Sequence, residues 1–123
     1  MNPVNWIEMP VSDMQRAKAF YSQLLGSPVK DMDSPDEDME IAALPMEENQ
    51  PNASGALVKG KNYVPHPDAT TVYFQCDELS NELARVEPAG GKVLMPKTSI
   101  GEYGYIALAL DTEGNRIGLH SRK

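Results

Sequence analysis

With one cysteine, Cys76, the chain cannot form an internal disulfide, so a fold of 123 residues has to be held by its core alone. A chain of this length buries roughly two-thirds of the surface its unfolded form exposes, which is enough without staples. Cys76 lies in a run of alternating apolar residues, a setting that suits an inert buried thiol rather than a nucleophile. Neither CxxC nor HExxH occurs, and the two histidines, His66 and His120, are far apart in the chain, so there is no local zinc motif. Positive charge is also scarce: 11 basic residues against 18 acidic ones give a net charge of −7. That balance repels phosphate backbones and anionic headgroups, and no basic patch offsets it, so neither nucleic acid nor membrane is an expected partner. No run of eighteen apolar residues and no charged-then-apolar leader is present, which makes the cytoplasm the expected location.

What is there is punctuation. Two apolar runs, 105–110 and 116–120, flank Asp111-Thr112-Glu113-Gly114-Asn115, a turn that takes its positive φ from Gly114 or Asn115. The runs are predicted to pair antiparallel, with side chains alternating between two faces. Near the start, Ile7, Met9 and Val11 alternate with Trp6, Glu8 and Pro10 in a strand over 5–11. Asp13 then caps a helix. Its apolar positions Met14, Ala17, Phe20, Tyr21, Leu24 and Leu25 recur at three-and-four spacing until Gly26 and Pro28 stop it. Two short strands follow within 29–46, around the acidic turn 33–38. Ser34, Pro35 and Asp36 carry its turn chemistry, and its carboxylates lack the spacing and glycine of a calcium loop. A polar loop leads to a fourth strand over 55–59.

Residues 60–69 form a connector whose prolines suit neither helix nor interior strand. His66 in it reads as an exposed loop residue, and Tyr63 has no assigned place. After the connector the pattern restarts: a strand over 70–76, a helix capped by Asp77 and running to about Glu87, Gly90-Gly91, a strand over 92–95, and the closing hairpin. Laying the second half on the first puts Cys76 on Val11, Glu78 on Asp13, Ala84 on Ala19 and Gly91 on Gly26. The expectation is one α+β domain, 1–123, in which strand, helix and three strands occur twice, as modules 1–59 and 70–123.

Four stretches carry a resemblance to the vicinal oxygen chelate superfamily of glyoxalases, bleomycin-resistance proteins and extradiol dioxygenases. They are Trp6-Ile7-Glu8-Met9-Pro10-Val11-Ser12-Asp13, Arg16-Ala17-Lys18-Ala19-Phe20-Tyr21 with Leu25-Gly26, Ala89-Gly90-Gly91-Lys92-Val93, and Asp111-Thr112-Glu113-Gly114-Asn115-Arg116-Ile117-Gly118-Leu119. The resemblance implies paired βαβββ modules forming a curled mixed sheet around a shared cavity, with helices on the outer faces. It also implies that metal-using members direct His, Gln or Glu side chains into that cavity. Carried over, the first ligand position falls on Trp6, its repeat equivalent on Thr71, the last-strand position on Gly118 and the fourth-strand position within 55–58. An indole has no lone pair for a metal, threonine is a poor ligand and glycine has no side chain, so neither metal nor other cofactor is expected.

By alternation, the concave face implied by the resemblance holds Trp6 and Glu8, with Tyr73, Tyr105 and Ala107, and with Arg116 or His120 around Gly118. Trp6 is either a core filler or a stacking surface. Glu8 is either paired internally with Arg116 or His120 or turned to a ligand, since an unpaired carboxylate pays several kcal/mol for losing water. The small residues Gly118, Ala107 and Ala109 point to a cavity that is not wholly filled. The expected ligand-binding set is Trp6, Glu8, Tyr73, Tyr105 and His120, aromatic walls with a few polar groups. Three functions follow: a metal-independent small-molecule-binding protein, a metal-free isomerase or lyase with Glu8 as general base, or a non-catalytic dimerisation or interaction module. A homodimer is what the resemblance implies.

Overall fold

Asp13 decides where the first helix begins. In the computed structural model, which describes residues 1–123, its carboxylate accepts the Arg16 amide at 3.0 Å and satisfies one free N–H of α1 (Met14–Leu25). At the other end Gly26 takes a left-handed φ of 69° and returns its N–H to the Ser22 carbonyl. Between the caps, Met14, Ala17, Phe20, Tyr21 and Leu24 form the buried stripe, and the Phe20 and Tyr21 rings meet edge to face at 4.9 Å. The stripe covers a sheet of β1 (Trp6–Pro10), β2 (Lys30–Met32), β3 (Glu40–Ala43) and β4 (Ser54–Lys59). Its order is β1-β4-β3-β2, with β1 parallel to β4 and the other pairs antiparallel. β4 is central and buried on both faces from Gly55 to Val58.

The second half builds the same arrangement from β5 (Val72–Gln75), α2 (Leu79–Val86), β6 (Lys92–Ser99), β7 (Tyr105–Leu110) and β8 (Arg116–Ser121). Its order is β5-β8-β7-β6, β5 being parallel to β8. Both sheets are open, and the chain is α+β. The repeat holds at the hydrogen-bond level, since the Val11 amide donates to Val58 in one sheet as the Cys76 amide does to His120 in the other. The chain divides into two compact units between Pro65 and His66, inside the connector. The closing turn takes its positive φ from Gly114, at 88°, while the buried Asp111 carboxylate accepts the amides of Glu113 and Asn115. No helix is long and apolar enough to cross a membrane.

Beyond shifts of a residue or two at strand ends, two boundaries differ from expectation. The cap of α2 is Glu78 rather than Asp77: its carboxylate reaches the Ser80 amide at 2.6 Å, the role that the overlay on Asp13 assigns to this position. β6 continues past Met95 to Ser99 although Pro96 lies in it. Its register against β7 breaks on either side of Met95, and a strand accepts a proline where the ladder is already interrupted.

Candidate functional site

The register of the first sheet sorts the side chains of β1. Met9, Leu57, Ala42 and Asp31 stand in one row across the four strands, and Lys18 of α1 pairs with Asp31 at 2.7 Å, so this row faces the helix. Trp6 and Glu8 therefore lie on the opposite face, Trp6 beside Ser54 and Glu8 beside Ala56. Neither belongs to the core. Trp6 is 39% exposed and Glu8 is exposed, which removes both the core-filler reading of the indole and the burial cost expected for the carboxylate.

The partner of Glu8 is Tyr63, the residue that sequence reasoning left without a place. The Tyr63 hydroxyl donates to Glu8 Oε1 at 3.0 Å, and that bond, followed by the carboxylate's charge, pushes the phenol above its ordinary pKa. A turn aims the ring: the Tyr63 amide donates to the Gly60 carbonyl at 3.1 Å. A Cβ at Gly60 would stand 2.9 Å from the Met39 side chain and 3.4 Å from the Tyr63 ring, so glycine keeps this turn tight. Tyr63 also walls an open cleft of about 540 Å³ together with Ser12, Glu40, Lys59 and Lys61. The signal for its role was slight: an aromatic just beyond β4, the parallel neighbour of β1.

In the second module Tyr73 stands across from Gly118, and a Cβ at Gly118 would fall 2.3 Å from the Tyr73 ring. The glycine is there so that the ring can lie across β8, and the space expected beside Gly118 is occupied. Tyr73 stays 48% exposed. The Arg116 Nε donates to Thr71 Oγ1 at 3.1 Å, and His120 Nε2 lies 2.8 Å from the Tyr103 carbonyl. A carbonyl only accepts, so Nε2 carries the proton in that contact. Glu8, Arg116 and His120 each find these partners within their own compact unit.

The placing of Tyr105 and Ala107 on the face of Gly118 is corrected by the register. β7 sets Tyr105 opposite Ser121, Ala107 opposite Leu119 and Ala109 opposite Ile117, whereas Leu108 stands opposite Gly118 and Ile106 opposite His120. Ala107 and Leu119 share a core cluster with Cys76 and the helix residue Leu79, and Tyr105 packs against it. The Tyr105 ring lies beneath the Lys97 ammonium at 4.6 Å, and Lys97 in turn holds the helix cap Glu78 at 2.7 Å. Ala109 too is fully buried, so these small residues serve helix packing rather than an open cavity.

Outside these faces, His66 is exposed; its amide donates to Asn115 Oδ1 at 3.3 Å and its Nδ1 accepts the Asp68 amide at 3.0 Å. Cys76 is 7% exposed, and burial, then the Glu82 charge, pushes its thiol up to about 12, which keeps it protonated and inert. The positions onto which the resemblance carries metal ligands hold Trp6, Thr71, Gly118 and the segment Gly55–Val58, and no group of three or more His, Cys, Asp or Glu is placed to hold an ion. These residues do not fit a metal ion.

Two βαβββ modules with open mixed sheets, each flanked by one helix, define the glyoxalase fold. The model of the glyoxalase/bleomycin resistance protein/dioxygenase superfamily matches residues 4–119, and the chain belongs to that superfamily. It is similar to CFP32 of Mycobacterium bovis, provisionally named a glyoxylase, with 27% identity over 126 residues, covering 94% of this chain and 44% of that protein. The chain thus spans less than half the length of that relative. Glyoxalase I from Zea mays shares the fold at a TM-score of 0.73 and 21% identity, covering 98% of this chain and 46% of the maize chain. TnmS3, an antibiotic binding protein from Streptomyces sp. CB03234, matches at a TM-score of 0.67 and 25% identity over 100% of this chain and 98% of its own.

Proposed function

We propose that the protein is a metal-independent small-molecule-binding protein of the glyoxalase/bleomycin-resistance type, its ligand lying against an aromatic-lined face. The observation that carries this is the exposed pair Trp6 and Glu8: Trp6, on the position where the resemblance implies a metal donor, offers instead a stacking surface, and Glu8 beside it a hydrogen-bonded carboxylate. The match to TnmS3 over nearly the whole of both chains supports it, since that protein is named for binding an antibiotic. In the second module, Tyr73 and His120 supply a second exposed aromatic and an oriented imidazole.

The deciding experiment is a calorimetric screen of flat aromatic compounds against protein stripped with chelator. Saturable binding that is unchanged when zinc, nickel or iron is returned supports the reading. Binding that appears only after a metal is restored overturns it.

One observation favours a second reading, a metal-free isomerase or lyase. Glu8 as general base would have the proton-bearing Tyr63 hydroxyl 3.0 Å away as its acid partner. Glu8→Gln separates the two: turnover is abolished in an enzyme, whereas in a binding protein affinity falls and there is no turnover to lose.

A further inference from the structure

The face that carries Trp6 and Glu8 holds a carboxylate that makes no ion pair. The hydrogen-bond partner of Glu8 is a neutral phenol, and that bond uses Oε1 alone. Lys18 pairs with Asp31 at 2.7 Å and Lys59 with Glu40 at 3.5 Å, and Lys61, which lines the cleft beside Tyr63, makes no ion pair with Glu8. Lys30 shares the face but stands on β2, separated from Glu8 by Ala56 and Ala43. Three strand spacings put it roughly 14 Å away, beyond the Debye length of about 8 Å at physiological salt. One residue pair along the strand from Glu8, on the same face, stands the exposed Trp6 indole, and such side chains are roughly 7 Å apart.

Resting on the binding reading above, we propose that the ligand of this face is an organic cation, a flat ring system bearing a positive nitrogen held between the Trp6 indole and the free oxygen of Glu8. A cation lying between the two side chains comes within about 6 Å of the indole centroid, where the negative face of the ring attracts it. The same nitrogen reaches the carboxylate, and Tyr63 keeps that carboxylate turned toward it. A neutral ring would cover the indole but leave a partly desolvated carboxylate without compensation, and an anion would be repelled. The net charge of −7 works in the same direction at long range.

The test compares N-methylquinolinium with quinoline, rings of nearly equal shape that differ in charge at neutral pH. Binding is measured by calorimetry at 0.15 M salt and located by the indole N–H resonance of Trp6, the single tryptophan. The expected result is a cation at least about tenfold tighter than its neutral counterpart, the preference shrinking to about twofold in Glu8→Gln because the cation loses far more affinity than quinoline does. Glu8 is exposed, so that variant stays folded, and its melting temperature checks this. Equal affinities for the two probes, or a preference that survives Glu8→Gln, overturn the cation assignment and leave the binding reading standing. Failure of both probes and of every other flat compound overturns the binding reading, and the cation assignment with it.

Discussion

In the first module Glu8 stands across the strand pair from Ala56; at the same place in the second, Tyr73 stands across from Gly118. Each acidic or aromatic side chain faces the smallest residue that it permits. A carboxylate held by a connector tyrosine tolerates a methyl group beside it, whereas a ring lying across the neighbouring strand does not. The two halves therefore keep an acidic N-cap and the strand order and differ in what their free faces present. Repetition conserves what each backbone needs to close its own hydrogen bonds; chemistry is placed on positions that the backbone leaves unconstrained.

The third link of each module makes the same point, and substitution there should break the comparison most sharply. Between β2 and β3 the chain turns with side chains: Ser34 Oγ accepts the Asp36 amide at 3.2 Å and Asp36 Oδ1 the Asp38 amide at 2.9 Å. Between β6 and β7 it turns with glycine, Gly104 lying at φ 104° with its missing Cβ 2.3 Å from the Ser121 carbonyl oxygen. Gly104→Ala is expected to cost at least about 3 kcal/mol, through both strain and a backbone clash that cannot relax. Asp36→Ala, which removes an exposed hydrogen bond, should cost about 1 kcal/mol or less. Urea unfolding of the two variants checks the contrast.

A smaller effect is expected where the faces differ. Gly118→Ala should destabilise by about 1–2 kcal/mol in the native sequence and by far less when Tyr73 is already alanine, because the cost arises from displacing the ring. The double-mutant cycle measures that coupling. Additive costs would mean that Tyr73 does not need the glycine.

Helix caps sharpen the comparison further. Asp13→Ala removes the capping bond to the Arg16 amide and should cost about 1 kcal/mol. Glu78 both caps α2 and pairs with Lys97; the Lys97 bond, then the Ser80 amide, hold its carboxyl at about 2. Its folded pKa lies below the ordinary value of 4.5, so its contribution is complete above that pH and is withdrawn as pH falls toward 2. The melting-temperature gap between the native protein and Glu78→Ala should therefore close across that acid window. A constant gap would mean that the ion pair contributes nothing.

The smallest effect belongs to Cys76. Its counterpart in the overlay is Val11, which is 1% exposed, and Cys76→Val should cost less than about 1.5 kcal/mol. With its thiol at about 12, Cys76 should resist an aromatic disulfide reagent at pH 8 until the protein is unfolded.

Much of the fold could be read from the chain. Asp13, Gly26 and Gly114 act as the caps and turn that their types suggest, because each satisfies neighbours within a few residues of itself. The overlay of Glu78 on Asp13 even held the correct second cap, although the nearer Asp77 is the more usual capping type. The run of β6 past Pro96 was hidden because a bulge depends on the partner strand, not on the strand that contains it.

The candidate site was legible only in part. That Trp6 and Glu8 share one face follows from alternation along a single strand. Which face Tyr105 occupies depends on the β7–β8 register, and the partner of Glu8 lies far along the chain at Tyr63. The sequence by itself determined the elements, their repeat and the residue types set at each position, since those are matters of local backbone geometry and hydrogen bonding. Only the tertiary structure decided that a connector phenol holds Glu8, that Tyr73 fills the space above Gly118 and that Tyr105 lies under a helix, because contacts between distant segments follow from strand register and packing, which no local pattern encodes.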